Sequence, residues 1–108
     1  MATKANLVID QGTTFTTTID VTDDDGNHID LTGYTGAAQI RKTYSSSNST
    51  SFTVVVSNAG TVTLSMNANT TANIIAGRYV YDCEITSGDG IRSRIIEGIV
   101  TITPEVTR

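Results

Sequence analysis

Polar and apolar side chains alternate one by one along much of this chain, and that pattern limits its fold more than any other feature. In residues 13–21, Phe15 and Ile19 fall on one face, while Thr16 and Asp20 fall on the other. Alternate side chains point to opposite faces of a β-strand, whereas a helix repeats about every 3.6 residues. The same alternation recurs in residues 6–10, 38–42, 52–56, 62–66, 78–86 and 91–103. The sequence therefore predicts an all-β protein.

Composition supports strands over helices. Of the 108 residues, 20 are Thr, 12 are Ile and 9 are Val. These β-branched side chains lose rotamer freedom in helices and pack well on pleated sheets. No stretch has the spacing of an amphipathic helix of ordinary length. A single helical turn is expected in residues 67–76, capped by Asn69 or Thr70 and holding Ile74 and Ile75.

Turn residues divide the alternating stretches. Asp25-Gly26 and Gly33 interrupt the first half of the chain, and glycines recur in the second half at similar intervals. We expect a brief strand at residues 28–31 and a surface loop without regular structure at residues 45–51. The apolar face of residues 91–103 changes side midway, which predicts a β-bulge near Ile95 and Ile96.

About seven short strands at intervals of roughly ten residues are typical of a small β-sandwich. The predicted fold is an immunoglobulin-like antiparallel β-sandwich of about seven strands. A chain of 108 residues has the size of one domain. We therefore expect residues 1–108 to form a single domain, with short flexible termini at residues 1–5 and 104–108.

The charge pattern limits the kinds of partner. The net charge is −4, the isoelectric point is about 4.6, and the seven basic residues form no long run, which argues against nucleic acid or an anionic membrane. The N-terminal residues lack the pattern of a signal peptide, and no apolar stretch approaches the roughly 20 residues that span a bilayer. Cys83 is the only cysteine, which excludes an internal disulfide and suits a reducing compartment. We expect synthesis in the cytoplasm and no cofactor.

Residue types that carry catalysis are sparse. His28 is the single histidine and follows a hairpin glycine by two residues, so an exposed position outside any catalytic triad is expected. The sequence contains no nucleophile elbow, zinc-binding helix, phosphate loop or dinucleotide motif. Alternation places Cys83 on an apolar face, which favours a buried, unreactive thiol. We predict no catalytic residue and a protein that is not an enzyme.

The acidic run at residues 23–25 carries the oxygen ligands that Ca²⁺ prefers. Aligning Gly26 with the glycine of an EF-hand loop puts Val21 at the first ligand position and Thr32 at the last, which breaks that pattern. A solvated hairpin tip explains the same residues. The hairpin tip is the favoured interpretation, no metal site is predicted, and calcium binding at this turn stays open.

Several short motifs follow one another in a definite order along almost the whole chain. They are Asp10-Gln11-Gly12, Phe15-x-x-x-Ile19-x-Val21, Asp25-Gly26, Asp30-Leu31-Thr32-Gly33-Tyr34, Gly60-x-Val62-x-Leu64, Ala76-Gly77-Arg78-Tyr79-Val80-Tyr81-Asp82 and Glu97-Gly98-x-Val100-Thr101-Ile102-Thr103-Pro104. In this order and spacing the chain resembles the immunoglobulin-like N-terminal domain of phage baseplate upper proteins. It also resembles single-domain virion proteins of contractile-tailed phages, which end in a similar way.

The resemblance implies a virion structural protein that is attached to the tail or baseplate or decorates the capsid, in many copies and without catalytic or cofactor residues. Baseplate upper proteins continue into further domains, so for a chain of one domain we expect an attachment or cementing role. Its partners would be other phage virion proteins. The side chains expected to contact them are Met1, Thr3, Lys4, Tyr34, Ser47, Asn48, Glu105 and Arg108.

The alternative is a soluble sugar- or peptide-binding module of the adhesin type. Such a module needs aromatic side chains on its surface. Most aromatic residues of this chain are expected in the core. Tyr34, which lies between two turn glycines, and Tyr44 are the two expected at the surface.

Overall fold

Two β-sheets packed face to face make up the computed structural model, which describes residues 3–106. Its elements are β1 (Thr3–Lys4), β2 (Leu7–Asp10), β3 (Phe15–Asp20), β4 (Thr35–Arg41), β5 (Thr50–Ser51), β6 (Thr53–Ser57), β7 (Thr61–Met66), α1 (Ala68–Ala72), β8 (Gly77–Thr86) and β9 (Arg92–Thr103). The larger sheet has the order β1-β9-β8-β4-β5, with β2 also paired to β9, and the smaller sheet has the order β3-β7-β6. The predicted all-β sandwich is confirmed.

The number and direction of the strands differ in part from the expectation. Residues 3–106 contain nine strands rather than about seven, because β1 and β5 each add a strand of two residues. β1 and β2 run parallel to β9, so the sandwich is not antiparallel throughout. Parallel neighbours cannot be joined by a tight hairpin. The N-terminal strands therefore pair with β9, the last strand, although almost the whole chain separates them in sequence.

The hydrophobic core lies between the two sheets, on the faces that alternation predicted. On β8, Tyr81, Cys83 and Ile85 point inward while their neighbours point outward. Leu64 of β7 and Val100 of β9 are fully buried on the facing sheets. The buried apolar set is Ile9, Leu31, Ala38, Ile40, Phe52, Val62, Leu64, Met66, Ile74, Tyr81, Cys83, Ile85, Ile96, Val100 and Ile102.

Phe52 marks the point at which the chain passes from the larger sheet to the smaller one. β5 pairs with β4, the Phe52 amide donates to the Ala38 carbonyl at 3.0 Å, and β6 then pairs with β7. The Phe52 ring centroid lies 6.0 Å from that of Phe15 and 6.4 Å from that of Tyr81, within the range of favourable aromatic pairs. The predicted loop at residues 45–51 is therefore wrong in its last part, which forms β5.

Residues 28–31 do not form the predicted strand. One isolated bridge joins His28 to Thr22, and the Ile29 amide donates to the Val21 carbonyl at 2.9 Å. Leu31 is only 1% exposed and anchors this segment in the core. Burial of Leu31, packing of Ile29 and a few backbone hydrogen bonds, rather than a regular strand, hold the connection between β3 and β4.

The short helix α1 begins two or three residues earlier than expected. Its N-cap is Asn67, not Asn69 or Thr70, because the Asn67 side chain accepts a hydrogen bond from the Thr70 amide at 2.8 Å. Of the two isoleucines expected to be held here, Ile74 is buried and Ile75 is 79% exposed. No helix in residues 3–106 is long and apolar enough to cross a membrane.

The predicted bulge in β9 is confirmed. Cys83 lies opposite Ile96, but the next residue of β8, Glu84, lies opposite Arg94, so Ile95 is the extra residue. The bulge shifts the side-chain alternation of β9 by one position. Ile96, Val100 and Ile102 face the core after the bulge and Ile95 is partly buried, whereas Ile91, before the bulge, is 66% exposed.

The N-terminal segment is tied to the two central strands of the larger sheet. The Ala5 amide donates to the Glu97 carbonyl at 2.9 Å, and the Tyr81 hydroxyl donates to the Ala5 carbonyl at 2.6 Å. Ala5 and Leu7 also pack against the core. Residues 3–5 were expected to belong to a flexible terminus that the core does not need, and these contacts contradict that expectation for them.

The free energy of unfolding is expected to fall as the pH rises from about 9 to about 12. Burial raises the pKa of Tyr81 from 10.0 to about 12, with Cys83 adding to the effect, and burial followed by two neighbouring carboxylates raises the pKa of Cys83 from 9.0 to about 12. Both groups keep their protons in the folded chain at a pH where the unfolded chain releases them. Their contribution is complete below the unfolded pKa values and is lost as the pH rises through the folded ones.

Denaturant unfolding across that pH range measures this dependence. Tyr81→Phe lacks the phenol proton and should lose stability less steeply with pH than the unaltered chain. An equally steep loss in both proteins would show that Tyr81 is not the group responsible.

Candidate functional site

The side chains that were predicted to contact partners do not form one patch. Thr3 and Lys4 lie exposed on β1, at the edge of the larger sheet. Ser47 and Asn48 lie exposed in the connection between β4 and β5. Tyr34 precedes β4 and so lies at the opposite end of the sandwich from that connection. A single partner surface cannot include all of these residues.

Two of the predicted contact residues are less available than expected. Tyr34 is half-buried and packs against the core, and its amide donates to the Leu31 carbonyl at 3.0 Å. The turn that ends at Tyr34 directs its ring inward, which corrects the expectation of an exposed aromatic. Glu105 is also half-buried, and its amide donates to the Gln11 side chain at 3.0 Å.

Met1 and Arg108, the two terminal contact residues of the prediction, lie outside the described residues. The remaining C-terminal contact, Glu105, belongs to a segment that was expected to be flexible from residue 104 onward. Its hydrogen bond to Gln11 and its position beside Gly12 show that this part of the terminus is attached to the turn after β2.

A polar depression crosses the outer face of the larger sheet. It has a volume of about 310 Å³. Alternation along β4 and β8 turns their polar side chains away from the core at this place. The neighbouring strand β9 contributes the side chain of Arg94. We call it the outer groove, defined by Gln39, Arg41, Tyr44, Val80, Asp82 and Arg94.

The outer groove continues into a second depression of about 260 Å³. Gln39 and Asp82 border both depressions. The second one exists because Ala37, the outward residue of β4 at that position, carries only a methyl group beside the longer Glu84 and Arg92. The two depressions form one elongated surface across three strands.

Charges in the outer groove are paired within the protein. Arg94 Nε lies 3.3 Å from Asp82 Oδ2, and Arg94 Nη1 lies 3.8 Å from Glu97 Oε1. Burial raises the pKa of Asp82 above its usual value; Arg94 opposes this shift, while Glu84 and Glu97 add to it. Half-exposed ion pairs contribute little to stability. Their effect here is to hold the Asp82 and Arg94 side chains in place along the groove.

Tyr44 stands beside this groove on a tight turn. The Ser46 amide donates to the Thr43 carbonyl at 3.2 Å, and the Thr43 amide donates to Ser46 Oγ at 3.1 Å. Arg41 holds the turn against the sheet, donating to the Ser46 carbonyl at 2.5 Å and to Gln39 Oε1 at 2.9 Å. The Tyr44 side chain nevertheless remains 77% exposed. A well-held turn therefore presents an aromatic ring to solvent.

Other side chains of the kinds that can react or bind a metal ion have structural roles here. Cys83 is fully buried, as predicted, and its raised pKa leaves it a protonated thiol at neutral pH. His28 is exposed and lies 3.4 Å from the Asp20 carboxylate. In the acidic turn, Asp23 Oδ1 accepts from the amides of Asp25 and Asn27, both at 3.0 Å. Among residues 3–106, no three His, Cys, Asp or Glu side chains lie together in a way that could hold a metal ion.

The sequence showed parts of this groove but not their assembly. The alternation of residues 38–42 puts Gln39 and Arg41 on the face opposite the buried Ala38 and Ile40, and Arg94 lies near Glu97. Asp82 lies between the buried Tyr81 and Cys83 of β8, so alternation alone turns it outward. Strands β4, β8 and β9 are neighbours because they pair with one another. The alternation of side chains along a strand does not show which strands pair.

Comparison with known proteins identifies no family. No family model matches the chain, and no curated protein matches it. One similar solved structure is a family 123 glycoside hydrolase from Clostridium perfringens, with a TM-score of 0.44 and 12% identity over 97% of this chain and 24% of that protein. Another is a nucleoside hydrolase-related protein from Saccharophagus degradans that is associated with carbohydrate metabolism, with a TM-score of 0.35 and 14% identity over 91% of this chain and 22% of that protein.

The chain thus spans less than a quarter of either protein. Likenesses at these TM-scores support no statement about what this chain binds or does.

Proposed function

We propose that this chain is a structural protein of a tailed-phage virion, an accessory attachment subunit of the tail or baseplate or a capsid decoration protein, acting through protein–protein contacts. The observation that carries the proposal is the ordered set of motifs that resembles the immunoglobulin-like domain of phage baseplate upper proteins. Several motif residues join parts of the sandwich: Gln11 donates to the Ile74 carbonyl at 2.8 Å and accepts from the Glu105 amide. Gly12 and Gly33 take the positive φ of their turns.

The outer edge of β6 is suited to such contacts. Within residues 3–106, β6 pairs only with β7, so its other side has no strand partner there. Residues 50–58 contain no charged residue and no proline, and Val55 is 58% exposed. Natural proteins usually protect an open strand edge with charge, proline or a covering segment. We infer that a neighbouring virion protein pairs with or packs against β6.

Repetition makes a small contact of this kind sufficient. A strand of five residues offers a limited surface, and one such contact would be weak. In a symmetric particle the same contact occurs in every copy, and linked copies bind far more tightly than one. The predicted contacts at both termini and at Ser47 and Asn48 stay a prediction for the same assembly.

Sedimentation with phage particles tests the proposal. Purified chain mixed with virions from a producing lysate should enter a density gradient with the particles, and cryo-electron microscopy should show an extra sandwich on the tail, baseplate or capsid. Val55→Lys should abolish this association, because a charge on β6 opposes strand addition. Val8→Lys makes the same substitution at a valine of similar exposure (62%) on β2 of the larger sheet, and it should leave association intact.

Particles that neither carry the chain nor bind it would contradict the virion role itself. Association that survives Val55→Lys would retain the virion role and reject β6 as the contact. Deletion of residues 47–48 in the same assay distinguishes the loop contact from the strand contact.

A further inference from the structure

We infer that the outer groove binds a neutral saccharide of more than one ring, with Tyr44 as the stacking surface and Gln39 and Asp82 as the central hydrogen-bonding groups. This binding site goes beyond the proposed virion role and does not depend on it.

The position of Tyr44 is the first argument. A tyrosine ring that is 77% exposed loses the stabilisation that burial would provide. The turn beneath it is nonetheless well ordered, since Thr43, Ser46 and Arg41 exchange hydrogen bonds there. An aromatic side chain that is held in place while its face is open suits a flat ligand surface with exposed C–H groups. The apolar face of a sugar ring is such a surface.

The polar lining is the second argument. Gln39 keeps its amide donor although Arg41 donates to its oxygen, Asp82 keeps its Oδ1 acceptor, and Arg41 and Arg94 keep the N–H groups that their internal pairs do not use. A ligand that pairs with all of these side chains must carry groups that both donate and accept hydrogen bonds. Hydroxyl groups do so. A ring carrying several hydroxyls therefore fits this lining better than an apolar ligand does.

The charge balance is the third argument. Arg94 is engaged by Asp82 and Glu97, and Arg41 is engaged by Gln39 and the Ser46 carbonyl. A phosphate or a sugar acid would have to compete for these guanidinium groups and would approach three carboxylates, because Glu84 borders the second depression. A neutral ligand avoids both costs. The groove therefore favours an uncharged saccharide.

The shape is the fourth argument. The first depression, at about 310 Å³, lies at the lower end of the roughly 300–1,000 Å³ found for small-molecule sites. The second depression continues from it along the sheet, with Gln39 and Asp82 at the junction. A ligand of more than one ring can occupy both and place its hydroxyls at that junction.

Titration of the isotope-labelled full chain by nuclear magnetic resonance tests this site. The probes are the neutral trisaccharides maltotriose, cellotriose and triacetylchitotriose, with the acidic trigalacturonate and inorganic phosphate as comparisons. At least one neutral trisaccharide should shift the backbone signals of Gln39, Tyr44 and Asp82. Tyr44→Ala should weaken that binding at least about tenfold, whereas Tyr44→Phe, which keeps the ring, should stay within about twofold.

The remaining outcomes would overturn the inference. No shift with any neutral trisaccharide would do so, and so would shifts caused only by trigalacturonate or phosphate. Binding that is unchanged by Tyr44→Ala would remove the stacking surface and with it the site. Tyr44 makes no core contact, so the folded spectrum of Tyr44→Ala is expected to match that of the unaltered chain and to keep the test valid.

Discussion

Replacing Gly98 with alanine is expected to lower the free energy of unfolding by about 3 kcal/mol. The backbone of Gly98 does not need a positive φ, so the effect is steric. A Cβ atom at this position would overlap the carbonyl group of Ala5 and lie 3.2 Å from the Asn6 side chain. Between β1 and β2 the N-terminal segment runs alongside β9 here, and only a residue without a side chain leaves room for its backbone.

Denaturant unfolding of Gly98→Ala beside Gly88→Ala measures this effect. Gly88 also lacks a positive φ, and a Cβ atom there would meet only the Gly33 carbonyl at 3.8 Å, so its substitution should change stability little. A chain shortened by residues 1–6 provides the second control. In that background the obstacle is gone, and Gly98→Ala should cost much less. An equal cost with and without the N-terminal segment would refute the steric explanation.

Thr71→Val is expected to lower the free energy of unfolding by about 2–3 kcal/mol, although the two side chains have nearly the same shape. Thr71 is fully buried, and its hydroxyl donates to the Thr13 carbonyl at 2.7 Å. It also accepts from the Gly12 amide at 3.1 Å and lies 3.1 Å from the Ala68 carbonyl. Valine would leave these backbone groups without their partner, and part-buried groups without partners are costly.

Thr71→Ser separates the hydroxyl from the methyl group. Serine keeps the hydrogen-bonding oxygen and loses only one methyl, so the expected loss is about 1 kcal/mol. Thermal or denaturant unfolding of both variants decides between the two contributions. If valine proved as stable as the unaltered protein, the hydroxyl would not be what connects α1 to the turn after β2.

These two substitutions concern the places where distant parts of the chain meet. The missing side chain of Gly98 leaves room for the N-terminal segment beside β9, and Thr71 joins α1 to the turn that follows β2. Both show that residues 3–14 belong to the folded body. Contacts with a virion partner are therefore expected from exposed surfaces of that body, such as β6, rather than from a loose N-terminal arm.

The proposed partner edge and the saccharide groove lie on different sheets. β6 belongs to the smaller sheet, whereas the outer groove lies on the outer face of the larger one. Attachment through β6 would leave Tyr44 and the groove open to solvent. The two proposals can therefore be tested on the same protein, and neither Val55→Lys nor Tyr44→Ala is expected to affect the other function.

Local features of the sequence were sufficient to predict the longer strands and their inner faces. Alternation in β3 and β8 placed the correct side chains inward, and the change of face in β9 located the bulge at Ile95. These features depend on each residue and its near neighbours, because side-chain direction in a strand has a period of two. The same reasoning placed Cys83 in the core.

Only the tertiary structure decided how those strands are arranged. The parallel pairing of β1 and β2 with β9, the passage of the chain between sheets at Phe52, and the neighbouring positions of Gln39, Asp82 and Arg94 all join residues that are far apart in sequence. Tyr34 was misplaced for the same reason, since a turn glycine indicates a bend and not which side of the bend is covered. By itself the sequence determined which side chains of the longer strands face inward, because that follows from local side-chain chemistry. Which strands bury one another depends on the closure of the whole core, to which every strand contributes at once.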